Sequence, residues 1–74
     1  MFDRITFNMK VMGGRACIRN MRIPVSIIIQ RIAHGATTEE ILEEYPDLEH
    51  EDVCQALEYA AWLAREEVHP VVVQ

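Results

Sequence analysis

The sequence predicts a mainly α fold: a short N-terminal β-hairpin arm followed by three helices, the last two in a helix-turn-helix arrangement. Three observations carry this reading. Apolar and polar residues alternate over Ile5–Lys10 ahead of Gly13-Gly14, as in a half-buried strand that runs into a turn. Apolar stripes at helical spacing follow Pro24 and recur twice. Pro24, Gly35, Pro46 and Pro70 punctuate the chain where those stripes begin or stop. At 74 residues there is room for one domain, and by surface scaling such a chain buries only about 60% of its unfolded surface. Residues 1–23 form the arm, 24–67 the three-helix bundle and 68–74 a short β-prone tail.

In the arm, Ile5, Phe7 and Met9 alternate with Thr6, Asn8 and Lys10, and Ala16–Ile18 supplies a second extended segment to pair with them. Gly13-Gly14 permits the positive φ that a turn between strands needs. Asn20 tolerates the left-handed region, so a second tight bend is expected over Arg19–Arg22. Pro24 is expected as the first residue of a helix. Behind it Val25, Ile28, Ile29 and Ile32 fall on one face. Gly35 ends that helix as the residue after its cap, with His34 serving the helix C-terminus. Thr37 and Glu40 have capping-box spacing, with Ala36 and Ile41 at the staple positions. Ile41, Leu42 and Tyr45 are then the inner side of a short second helix stopped by Pro46. Leu48 and Val53 staple a third start near Glu49, and nothing breaks a helix from there to Glu67. Its expected inner stripe is Val53, Ala56, Leu57, Ala60, Ala61 and Ala64. After His69-Pro70, Val71, Val72 and Val73 favour an extended strand.

The net charge of −5 hides a division. Residues 1–38 carry six basic side chains against Asp3, a balance of +5, whereas residues 39–74 carry eleven acids against Arg65, a balance of −10. A basic front and an acidic back suit two different partners, or self-association. Arg15, Arg19 and Arg22, with Arg4 and Lys10 on the preceding strand, are the candidate DNA contacts, because a two-stranded ribbon can enter a major groove as a helix can. The third helix presents Glu51, Asp52 and Glu58, which phosphate would repel. The same arginines could instead pair with the acidic half of the same or a neighbouring subunit. Both readings stand at this point.

Catalytic chemistry is not indicated. Glu39, Glu40, Glu43 and Glu44 read as a solvated helix face, no nucleophile has an evident base, and no glycine loop suits a phosphate. His50 and Cys54 are spaced as half of a metal site, with no second pair to complete it. No catalytic, cofactor-binding or metal-binding residue is assigned. Apolar runs are too short to span a membrane. Charges in Met-Phe-Asp-Arg interrupt any secretory signal. A cytoplasmic protein with reduced Cys17 and Cys54 is expected.

Several blocks resemble a bacterial family: Ile5-Thr6-Phe7-Asn8, Val11-Met12-Gly13-Gly14-Arg15, Cys17-Ile18-Arg19, Arg22-Ile23-Pro24-Val25, Gly35-Ala36-Thr37, Glu39-Glu40-Ile41-Leu42 and Tyr45-Pro46-Asp47-Leu48. The chain looks like the domain-of-unknown-function family four-thirty-three (DUF 433), VapB-type antitoxin-like proteins, from about Ile5 to Ala61. It departs from the family pattern at Met9, Ala16, Asn20-Met21 and Glu49, and no Lys or Arg follows Arg65. The resemblance implies a homeodomain-like fold and the role of antitoxin in a type II toxin–antitoxin module, binding a PIN-like ribonuclease toxin and its own operator DNA. The alternative is a non-enzymatic protein-interaction module that does not bind DNA. With so small a core to cover the strand edges, a homodimer or higher homo-oligomer is expected, joined through Ile5, Phe7 and Met9 and through Val71, Val72 and Val73.

Overall fold

The computed structural model describes residues 2–66 and is mainly helical. Strand β1 (Ile5–Thr6) is followed by a 3-10 turn (Met12–Gly14) and strand β2 (Cys17–Ile18). Helices α1 (Val25–Ala33), α2 (Thr38–Glu44) and α3 (His50–Glu66) follow. β1 and β2 pair antiparallel, Ile5 opposite Ile18 and Thr6 opposite Cys17. Glu67 and the tail with Val71, Val72 and Val73 lie outside the described residues.

The arm is shorter than the alternation predicts. The strand stops at Thr6 because the Asn8 side chain accepts the Lys10 N–H at 2.9 Å, and the Asn8 carbonyl accepts the Val11 N–H at 2.8 Å. Such an Asx turn competes with the strand ladder. Phe7 and Met9 are therefore 59% and 76% exposed instead of facing a core. Gly13-Gly14 sits in a wide loop that ends at β2, not in a tight two-residue turn. Gly14 stands at φ +86°, a conformation that side chains rarely adopt, and an added Cβ would lie 2.5 Å from the sulfur of the exposed Met9, which would have to shift. The bend after β2 forms as expected, with both Arg19 (φ 46°) and Asn20 (φ 61°) left-handed.

Pro24 is the N-cap of α1 and not its first residue. A bridge to Cys17 keeps Pro24 extended, and the Val25 N–H donates to the Ala16 carbonyl at 2.9 Å. The arm thus supplies a partner for a helix-end donor that no side chain caps. At the other end, the Gly35 N–H bonds to Ile32 and the Ala36 N–H to Arg31, with Gly35 at φ +96°. That pair of bonds is a Schellman motif. His34 Nδ1 lies 2.8 Å from the Gln30 carbonyl, at the helix end as expected. α2 opens with both halves of the Thr37/Glu40 capping box in place.

The core gathers Ile5 and Ile18 from the arm, Val25 and Ile28 from α1, Ile41 from α2, Leu48, and Val53 and Ala56 from α3. The inner face of α3 differs from the expected stripe. Val53 and Ala56 are buried, but Leu57, Ala61 and Ala64 are exposed, and Asp52 and Gln55 occupy buried positions. An apolar stripe assigns a face by hydropathy alone, whereas here the arm provides charged and amide partners that let polar side chains face inward.

Candidate functional site

Asp52 is the centre of the most heavily hydrogen-bonded side-chain cluster among the described residues. Its side chain is completely buried. Asp52 is the third residue of α3, so its carboxylate reaches back to accept the Glu49 N–H at 2.7 Å, half of a capping box. The negative charge also lies at the positive end of the helix dipole. Arg19 grips the same carboxylate with two donors, Nε to Oδ1 at 3.1 Å and Nη2 to Oδ2 at 2.8 Å. Arg4 Nη1 adds a bond to Oδ1 at 2.9 Å and a second to Glu49 Oε1 at 2.7 Å. Arg19 Nη2 further donates to the Asp47 carbonyl at 2.9 Å, tying the α2–α3 connection into the cluster.

Gln55, one turn on, completes the clamp. Its Oε1 accepts the Arg4 N–H at 3.0 Å and its Nε2 donates to Asp3 Oδ1 at 2.6 Å. Burial alone would push the Asp52 carboxyl up, yet bonds from Arg19, the Glu49 N–H and Arg4 outweigh it and hold it below the usual carboxylate range. Asp3 is likewise lowered, chiefly by its bond from Gln55. The arginine side of the cluster shifts the opposite way, with Arg4 raised by Glu49 first and Asp52 second.

This arrangement splits the five candidate DNA contacts. Arg4 and Arg19 are ion-paired to the acidic half of their own chain, one of the two alternatives the sequence left open. Lys10, Arg15 and Arg22 are exposed and have no ion-pair partner among the described residues. They border the 3-10 turn: the Arg15 N–H bonds to the Met12 carbonyl at 3.3 Å, and Arg22 Nη1 lies 4.0 Å from the Met12 sulfur. The expectation that α3 presents Asp52 to solvent is overturned by its burial, while Glu51 and Glu58 are exposed. Of the candidate dimer contacts, Ile5 belongs to the core of its own chain, whereas Phe7 and Met9 are exposed.

A second surface is aromatic. Phe2 packs edge-on against Tyr59 and Trp62, with centroids 5.5 and 5.9 Å apart, and Phe7 meets Tyr59 at 6.0 Å. Beside this cluster an apolar groove of about 270 Å³ runs between α1 and α3, lined by Ala16, Val25, Ile29, Tyr59 and Leu63, with Arg15 and Ser26 at its polar rim. Sequence reasoning missed it, because Tyr59 and Leu63 fall outside the expected alanine-rich stripe.

His50 Nδ1 and Cys54 Sγ are 3.6 Å apart, and among the described residues no group of three metal-type ligands surrounds them. No helix among the described residues is long and apolar enough to cross a membrane.

A crystal structure of a DUF433 member protein from Anabaena variabilis ATCC 29413 is similar, with a TM-score of 0.77 and 36% sequence identity. The alignment covers 85% of this chain and 62% of that one, so this chain spans less than two thirds of its length. No curated protein matches. The family model described as a protein of unknown function, DUF433, matches residues 5–60, from β1 into the second half of α3. The chain belongs to the DUF433 family.

Proposed function

We propose that this chain acts by binding another protein and not by catalysis, as an antitoxin-type partner of a PIN-like ribonuclease. The observation that supports protein binding is the apolar groove of Ile29, Tyr59 and Leu63 with the 59%-exposed Phe7 packed on Tyr59 beside it. Aromatic side chains next to an arginine are the composition of interface hot spots. The antitoxin role itself rests on the family resemblance. Co-expression with a PIN-like ribonuclease encoded beside this gene tests it: the two are expected to co-purify and the ribonuclease to be inhibited. Leu63→Asp is then expected to weaken the complex by roughly a hundredfold, the loss of one central apolar anchor, with helical circular dichroism unchanged. Absence of any complex, or a complex indifferent to Leu63→Asp and Phe7→Asp, removes this reading.

Operator binding is a second reading, supported by the three exposed cations around the 3-10 turn that have no ion-pair partner among the described residues. In this reading α2 and α3 form a homeodomain-like helix-turn-helix, but Lys10, Arg15 and Arg22 make the phosphate contacts in place of the acidic α3. Arg4 and Arg19 are left out because Asp52 holds them. Replacing Lys10, Arg15 and Arg22 together with alanine is expected to weaken binding to the upstream promoter fragment. The salt dependence should become shallower by up to about three units, near one for each lost phosphate contact. A parent protein that does not bind the fragment at low salt, or a triple variant that binds as well, leaves the chain as a protein-interaction module alone.

A further inference from the structure

The side of α3 turned away from the core carries a pattern that neither the Asp52 cluster nor the groove uses. At about 100° per residue, Leu57, Glu58, Ala61, Ala64 and Arg65 fall within an arc of roughly 120°. All five are exposed, Leu57 by 37%. Glu58 and Arg65 have no ion-pair partner among the described residues, and Glu58, Ala61, Trp62 and Arg65 line one shallow groove together with Phe2. The two charges are opposite in sign and stand at equal distances on either side of a point between Ala61 and Trp62, about 5 Å along the axis in each direction. That symmetry is what an isologous contact requires, since each charge must meet its complement on an identical surface.

We propose that this face of α3 is a self-association surface, on which a second copy of the chain packs its own α3 antiparallel about a two-fold axis between Ala61 and Trp62. In that arrangement Glu58 faces the partner subunit's Arg65, and Arg65 faces the partner subunit's Glu58. Ala61 and Trp62 flank the line from Glu58 to Arg65 on opposite sides, so across the two-fold axis Trp62 meets the partner subunit's Trp62 and Ala61 meets the partner subunit's Ala61. Phe2 walls the same groove and is covered with it. The dimer contact then lies on α3 and not on the strand edge of the arm, and the Tyr59–Leu63 groove stays open for a different protein.

Sedimentation equilibrium of the full chain over micromolar to sub-millimolar concentration, at low and high salt, tests the contact. The parent is expected to dimerise, less strongly at high salt. Glu58→Arg and Arg65→Glu, each placing like charges opposite one another twice, are expected to weaken dimerisation by roughly tenfold. The double reversal, Glu58→Arg with Arg65→Glu, is expected to restore it. Ala61→Glu, which brings two carboxylates together across the axis, is expected to leave monomer. All three positions are exposed, and helical circular dichroism of each variant verifies the fold. A parent that remains monomeric throughout overturns the proposal. So does a dimer that ignores these substitutions, and so does one in which the double reversal is as weak as the singles.

Discussion

Asp52→Ala is expected to be among the most damaging single substitutions in the chain. It removes a buried carboxylate that accepts from Arg4, from both donors of Arg19 and from the Glu49 N–H. The half-exposed arginines can turn to water, so the loss is smaller than for a fully buried pair. The helix-end N–H and the cavity left behind add to it, for a total of about 2–4 kcal/mol. For a domain of this size that lowers Tm by roughly 10–25 °C. Asp52→Asn keeps the shape and one acceptor and should fall between alanine and the parent. The same cluster sets the response to acid. A carboxyl held below its ordinary value in the folded state stabilises that state above the unfolded value of about 4. This contribution fades as pH falls from about 5 through the folded value, with Asp3 acting in the same direction. Denaturant titrations of parent and Asp52→Asn between neutral and acid pH give the check. The gap between them should be widest near pH 7 and narrow on acidification, and a gap that widens toward acid would refute this account.

Ile41→Ala is expected to cost a comparable amount by a different route. α2 has seven residues and buries only Ile41, which is completely inaccessible among Ile28, Leu48 and Val53 in the core cluster. Truncation to alanine loses transfer free energy and leaves a cavity, together about 2–4 kcal/mol. Marginal domains of this size have only a few kcal/mol in reserve. The variant should therefore show a lower denaturant midpoint and earlier amide exchange across α2 than across α3. Uniform exchange in both helices would show that α2 does not open on its own.

Both substitutions separate what neighbouring residues decide from what distant ones decide. The start of α2 was legible because Thr37 and Glu40 satisfy each other's backbone donors across three residues, and no outside contact is needed. The end of α1 was legible because Gly35 reaches the left-handed region that a Schellman motif requires. Pro46 ends α2 through its ring and missing donor. The strand alternation misled, since it ignores a local competitor: Asn8 turns the backbone and leaves Phe7 and Met9 in solvent.

The candidate site divides along the same line. A carboxylate at the third position of α3, after Glu49, is a cap that sequence spacing alone can suggest, yet its burial cannot be read there. Its main partners, Arg19 and Arg4, stand 33 and 48 residues away. Gln55 is buried for the same reason, meeting Asp3 and Arg4 across more than fifty residues. By itself the sequence determined the three helices, the end of α1, the capping box of α2 and the charge division between front and back, because each depends on groups within a few residues of one another. Only the tertiary structure decided which basic residues are spent on Asp52, which stand exposed beside the 3-10 turn, and which face of α3 looks outward. A buried charge is tolerated only where the fold brings compensating donors to it, and that is a property of the assembled chain.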